Sequence, residues 1–323
     1  EALPGGGDFV SAGLNIIPVG GGKDSAVTTE LLSGFRNKNM FFTVNDQPAR
    51  TQCVLAAGYD ESRIIKTYRT IDPNLLELNR RGYLNGHTPF SAIVAFLSYY
   101  CAYLIGAENI ALSNESSANE ANIGGTGVNH QYSKSYEFEK DFRDFSDGYF
   151  GLPIRYFSLL RPFNEAQIAK KFAACPQYLK VFRSCNAGSK KNVWCCNCAK
   201  CLFVFIMLSP FVERGELIEA FGCDMLDKAD LLADFEGLCG FSGVKPFECV
   251  GTAREVCAML ELTLRRFGGG EKPYLLAEYE KRRTPVTSCE LRALFGEYNE
   301  VNSVGSEFLP AGREVYKYVS AID

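Results

Sequence analysis

Gly20-Gly21-Gly22-Lys23-Asp24-Ser25 stands directly behind the apolar run Leu14-Asn15-Ile16-Ile17-Pro18-Val19. Three glycines let a backbone turn sharply and approach a ligand without Cβ clashes. Residues 24–32 read as a helix start, so free N–H groups and the positive helix end face that turn. Lys23 adds a point charge. The chemistry predicted is the cradling of a phosphate chain by Gly20, Gly21, Gly22, Lys23, Asp24 and Ser25. The spacing is neither G-x-x-x-x-G-K-[ST] nor G-x-G-x-x-G. The plainer alternative, a flexible glycine turn, is disfavoured by the Lys-Asp-Ser that carries straight on into a helix.

A second group is built from sulfur. Cys195-x-x-Cys198-x-x-Cys201, with Cys185 upstream, offers four thiolates at spacings that fit one tetrahedral zinc. Cys196 is the odd member and is expected to point away. An iron–sulfur cluster is the competing occupant, because four thiolates serve both metals. A four-cysteine zinc site is closed, hence structural, and would pin this segment beside the glycine turn.

The elements that must hold these groups alternate along the chain. Strands are expected over residues 14–19, 40–44, 63–68, 109–113 and 154–160, with a buried apolar helix over 91–105. Strands alternating with helices predict an α/β fold, a parallel sheet with helices on both faces. Ligands bind beyond the carboxyl ends of such strands, where the glycine turn and the polar loop after Ser113 would both lie. From residue 211 the sequence turns helical, with candidates over 227–238, 252–266 and 273–282; Thr252 and Glu255 have capping-box spacing. The expected organisation is a nucleotide-binding α/β unit over 1–209, carrying the cysteine segment, and a helical substrate-side region over 210–323.

Composition sets the outer bounds. The chain has 323 residues, 46% of them hydrophobic, with a net charge of −4. That charge disfavours a polyanion such as tRNA as partner, so no nucleic acid is expected. The 91–105 stretch is too short to span a bilayer comfortably, and no signal peptide is visible. A cytoplasmic protein with no membrane partner is expected. Thirteen cysteines in such a chain favour metal over disulfides.

The glycine turn resembles the PP-loop of ATP pyrophosphatases, usually written SGGxDS, and this implies a HUP-type, Rossmann-like sheet. A PP-loop followed by a four-cysteine site resembles 7-cyano-7-deazaguanine synthase. Four longer segments are similar to another family instead. They are residues 113–120 (SNESSANE), 129–139 (NHQYSKSYEFE), 158–162 (SLLRP) and 245–252 (KPFECVGT). That family is the UDP-N-acetylmuramoyl-L-alanyl-L-glutamate epimerases of bacterial peptidoglycan synthesis, and the similarity runs from about Leu14 to Arg265. Its members carry further sequence before the PP-loop. The resemblance implies ATP- and Mg²⁺-dependent inversion of the terminal L-glutamate of a nucleotide-sugar dipeptide, giving the D-glutamyl product.

Inversion needs a base. The α-proton beside a free carboxylate is very weakly acidic, whereas adenylation neutralises that carboxylate and lets the carbanion delocalise. His130, Glu115, Glu248 and Cys249 are the candidate catalytic groups. Imidazole suits neutral-pH proton transfer, and a thiol ahead of a helix start can act as acid or base. Glu115 and Glu120 are also candidate Mg²⁺ ligands. His87 reads as a turn residue. Lys245, Arg254, Arg155, Arg161 and Arg183 are candidate anion contacts. The competing functions are amide or nitrile formation of the deazaguanine type, tRNA sulfur transfer, and a non-enzymatic adenine-nucleotide sensor.

Overall fold

Neighbouring residues on each strand face opposite ways, and the two cores of the protein follow from that alternation. Ile16, Phe42, Ile110 and Tyr156 enter one apolar cluster, while Ile17, Phe41, Ala111 and Phe157 enter the other. A strand buried on both faces reads as a continuous apolar run, which is why these strands were visible in the sequence. The computed structural model describes residues 9–84, 89–119, 132–243, 245–246 and 248–316.

Five strands form one parallel sheet: β1 (Leu14–Pro18), β2 (Asn39–Val44), β3 (Ile64–Thr67), β4 (Ala107–Leu112) and β5 (Arg155–Ser158). Their order is β3-β2-β1-β4-β5, and all four pairings are parallel. The order reverses between β1 and β4, so a crevice opens there beyond the strand ends. Buried asparagines link the central strands: Asn15 donates to Asn39, and Asn109 donates to Asn15 at 2.9 Å.

Helices cover both faces. In chain order α1 (Lys23–Leu31), α2 (Pro48–Ala56) and α3 (Pro73–Arg80) precede α4 (Phe90–Ile105) and α5 (Tyr136–Tyr149). The α4 and α5 side chains Tyr99, Ala102 and Phe142 pack with Tyr156 on one face. On the opposite face α1 meets α6 (Glu165–Ala173), which packs on α7 (Ala199–Leu208). The core continues from there through α8 (Arg214–Phe221), α9 (Leu232–Leu238), α10 (Ala253–Phe267), α11 (Tyr274–Arg282) and α12 (Ser288–Gly296). A last short helix, α13 (Leu309–Arg313), follows.

Three local expectations change. The 91–105 helix forms but buries only one face, leaving Phe96, Tyr100 and Leu104 exposed on the other. The 227–238 helix begins regularly only at Leu232, behind two short 3₁₀ turns. Helical structure starts earlier than residue 211, because α7 follows the cysteines at once. Every residue of α7 except Lys200 is buried. A helix apolar all round carries no period to betray it.

Candidate active site and cysteine centre

The glycine turn lies at the strand-order reversal. Gly21 has φ +83°, and a Cβ there would meet the Ala49 backbone at 3.1 Å. Only glycine meets both demands. Gly22 is the N-cap of α1 and supplies no side-chain cap, so the first N–H groups of the helix are left for the crevice. Opposite, the loop after β4 is fixed to α1 by Thr28, whose hydroxyl donates to Ser113 at 2.8 Å.

Lys23 is buried and paired with both Asp24 and Glu165. Burial works against its charge, but Asp24, Glu165 and Glu115 outweigh it and lift the ammonium above the ordinary lysine range. Burial lifts the Glu165 carboxyl; Lys23 opposes that lift, and Asp24, Glu115 and Glu255 add to it. Glu255 closes the capping box of α10 and also accepts from the Glu165 N–H at 2.7 Å, bridging the starts of α6 and α10. Burial raises Glu255 too, against the hydrogen bonds it accepts from Thr252 and the Glu165 backbone. Three carboxyls, those of Asp24, Glu165 and Glu115, thus act on the one buried ammonium.

A cavity of about 320 Å³ opens beside the turn. Gly20, Gly22, Asp24 and Ser25 form one side, Phe42, Val44, Phe90 and Val94 an apolar wall, and Ser113, Asn114 and Lys134 the far side. Lys134 is deeply set, and its Nζ lies 3.1 Å from Cys249 Sγ. Burial opposes its charge, yet Cys249 and Glu115 outweigh burial and raise the ammonium. The cavity therefore brings the glycine turn, an aromatic-lined slot and Lys134 around one space, and Cys249 contacts that lysine.

The sequence candidates separate clearly. Glu115 and Cys249 both act on Lys134. Glu248 sits towards the cysteine segment, accepting from Asn186 at 3.2 Å, its carboxyl raised by burial against Lys200. His130, Glu120 and His87 lie outside the described residues. Arg161 is no anion contact. Fully buried, it pairs with Glu139 and donates to the carbonyls of Glu115 and Lys134, both at 2.8 Å. It staples the two ends of the segment between them. Arg155 and Arg254 form exposed pairs with Glu307 and Glu297. Lys134 and Glu165 carried no pattern that singled them out; Glu255 was legible only as a cap.

The cysteine centre draws Cys185, Cys195, Cys198 and Cys201 together, their sulfurs all within 4.8 Å of one another. Cys195 and Cys201 stand 3.7 Å apart. A Zn–S bond of about 2.3 Å gives a tetrahedron edge of about 3.8 Å, so the donor set fits zinc. Backbone N–H groups point at the sulfurs, from Gly188 to Cys185 at 3.1 Å and from Cys201 to Cys198 at 3.4 Å. Hydrogen bonding from the Cys201 side chain, against burial, lowers the Cys198 thiol. Gly188 permits the turn, because a Cβ there would overlap the Val193 carbonyl at 1.9 Å. Cys196 (φ 52°) points elsewhere, its thiol donating to the Phe221 carbonyl. The centre touches the glycine turn through its own chain: the Arg183 N–H donates to the Gly21 carbonyl at 2.7 Å, two residues before Cys185.

Comparison with known proteins finds two family domains in the chain. Residues 8–159 match the MurL N-terminal domain and residues 181–287 the MurL C-terminal domain. A protein of Salinispora tropica is 38% identical over 265 residues, 80% of this chain and 57% of its own length. One from Xanthomonas oryzae pv. oryzae is 37% identical over 248 residues, 74% and 54% of the two lengths. One from a Micromonospora species is 38% identical over 250 residues, 76% and 55%. All three are named UDP-N-acetyl-alpha-D-muramoyl-L-alanyl-L-glutamate epimerase. The chain spans about half the length of these relatives.

Proposed function

The chain belongs to the MurL family, and on that premise we propose that it serves ATP- and Mg²⁺-dependent inversion of a terminal L-glutamate. The substrate is UDP-N-acetylmuramoyl-L-alanyl-L-glutamate, the product its D-glutamyl epimer, and the setting cytoplasmic synthesis of peptidoglycan precursors. The observation that carries this reading is the shared cavity, with the glycine turn on one side and Lys134, held against Cys249, on the other. In this reading the fold is of the PP-loop type. Residues 1–209 form the nucleotide unit and residues 210–323 the substrate side.

The glycine turn and the start of α1 hold phosphates through backbone N–H groups, with Lys23 as the fixed positive charge beneath them. Asp24 and Glu115 are the oxygen ligands offered to Mg²⁺. ATP supplies the activation, transferring AMP to the glutamate carboxylate with release of pyrophosphate, so that the neighbouring α-proton becomes acidic enough to remove. After inversion, water would cleave the mixed anhydride to AMP and the free D-glutamyl carboxylate. The apolar wall of Phe42, Val44, Phe90 and Val94 receives the nucleoside and excludes water. Cys249 moves the proton at the glutamate Cα, and Lys134 beside it favours the thiolate. His130, Glu115 and Glu248 are the other acid–base candidates for return from the opposite face. Cys185, Cys195, Cys198 and Cys201 hold a structural Zn²⁺ that fixes the 183–186 segment against the glycine turn. The direct test supplies the nucleotide-sugar dipeptide, ATP and Mg²⁺ and reads the chirality of glutamate after hydrolysis. D-Glutamate formed only with ATP supports the reading; retained L-glutamate with ATP consumed refutes it.

A further inference from the structure

Two cavities adjoin at the glycine turn: Gly20, Arg50, Ser184 and Asn186 line both, and Arg183 lines the second alone. Beyond the cleft already described lies a second, about 340 Å³, on the α2 side of the glycine turn. Gln47, Arg50, Arg183, Ser184, Asn186 and Asn192 are among its walls, and no carboxylate lines it. Three buried polar atoms on these walls find no hydrogen-bond partner among the described residues: Arg50 Nε, Arg183 Nε and Ser184 Oγ. Both guanidinium groups are held from their other ends. Arg50 Nη1 donates to the carbonyls of Val44 and Asn45, and Arg183 Nη1 to that of Phe182 at 2.6 Å. The α2 helix also begins here, with Gln47 as an N-cap that makes no side-chain capping bond. Asp46 is the carboxylate felt by Arg50, and it is engaged by Lys66 at 3.2 Å.

Buried donors left without acceptors are costly, and fixed guanidinium groups match phosphoryl oxygens. We propose that this cavity is a diphosphate subsite next to the glycine turn, with Arg50, Arg183 and Ser184 as its donors. The inference deepens the nucleotide reading above and rests on it. Two ligands carry the required chemistry: pyrophosphate leaving from ATP, and the diphosphate of the UDP-sugar substrate. The subsite would fix one end of a reactant while the glycine turn handles the other, which is how remote binding energy is converted into orientation.

Calorimetric titration of the 323-residue chain in Mg²⁺ with pyrophosphate, UDP and AMP separates the possibilities. Ser184→Ala removes only an unpartnered hydroxyl and leaves the fold with nothing to lose; Arg183→Gln removes a charge. Each is expected to weaken one diphosphate probe by roughly tenfold or more. AMP binding should be unchanged in Arg183→Gln and weakened less than the diphosphate in Ser184→Ala, because Ser184 also lines the first cavity. Loss confined to pyrophosphate assigns the ATP-derived ligand; loss confined to UDP assigns the sugar nucleotide. A wild-type chain that binds neither diphosphate overturns the proposal. So do variants that bind both as tightly as wild type, and variants that lose AMP equally. If AMP fails to bind wild type while Ser184→Ala still weakens pyrophosphate, the nucleotide reading of the cleft falls and the anion subsite stands.

Discussion

Lys134 Nζ and Cys249 Sγ stand 3.1 Å apart although 115 residues separate them in the chain. The contact ties the loop after β4 to the segment before α10. Cys249→Ser and Lys134→Met are expected to release pyrophosphate at least once per site yet to lower inversion by about 10²–10⁴. Activation measured by pyrophosphate release and inversion measured by glutamate chirality decide this; wild-type inversion in both variants removes the pair from proton transfer.

The same pair makes a pH prediction. The Lys134 ammonium is raised in the folded protein, burial lowering it but Cys249 and Glu115 raising it more. A raised lysine contributes stability that is fully present below the unfolded value of about 10.4 and is lost as pH rises through the folded value. Cys249→Ser removes one of the raising charges. Its alkaline loss of stability should therefore be smaller, and complete at lower pH, than in wild type, which thermal melts between neutral and strongly alkaline pH will show.

Lys23 has two roles that can be pulled apart. Lys23→Met leaves Glu165 buried and uncompensated, costing about 3–5 kcal/mol of stability, and lowers ATP turnover by about 10²–10³. Adding Glu165→Gln removes the stranded charge. The double variant should regain most of the stability and none of the turnover. Recovery of turnover would show that Lys23 acts through the fold alone.

Arg161 tests the staple beneath the site. Arg161→Met leaves Glu139 with only Arg143, 3.1 Å away, and frees the carbonyls of Glu115 and Lys134. A loss of about 3–5 kcal/mol is expected. Glu139→Gln keeps an acceptor and should cost less. Chemical denaturation of the two variants checks the order.

The cysteine centre should hold one zinc per chain. Cys198→Ser should lose it and lower the melting temperature sharply, because a structural metal contributes folding free energy directly. Cys196→Gly should keep the zinc, since that thiol faces Phe221 and its backbone is already left-handed. Elemental analysis showing iron with sulfide would reassign the centre.

Much of this was legible in the sequence where local chemistry is dense. The glycine turn, the four cysteines and the doubly buried strands announce themselves by composition and spacing. Lys134, Glu165 and Arg161 do not, because their roles come from contacts made far along the chain. A lysine in a polar stretch looks solvated until the fold sets Cys249 against it. Arg161 looked like an anion contact because its sequence could not reveal Glu139 waiting inside the core. The exposed face of α4 was hidden for the opposite reason: an apolar composition says nothing of which side has no partner.

Proton exchange at the glutamate Cα tests the central claim most directly. In D₂O with ATP, Mg²⁺ and the UDP-linked L-alanyl-L-glutamate substrate, the D-glutamyl product should carry deuterium at that carbon. Without ATP, or with an analogue that cannot be cleaved between its α- and β-phosphates, no exchange should occur. An unactivated carboxylate leaves the proton too weakly acidic for any side chain here. Exchange or inversion without ATP would contradict the account.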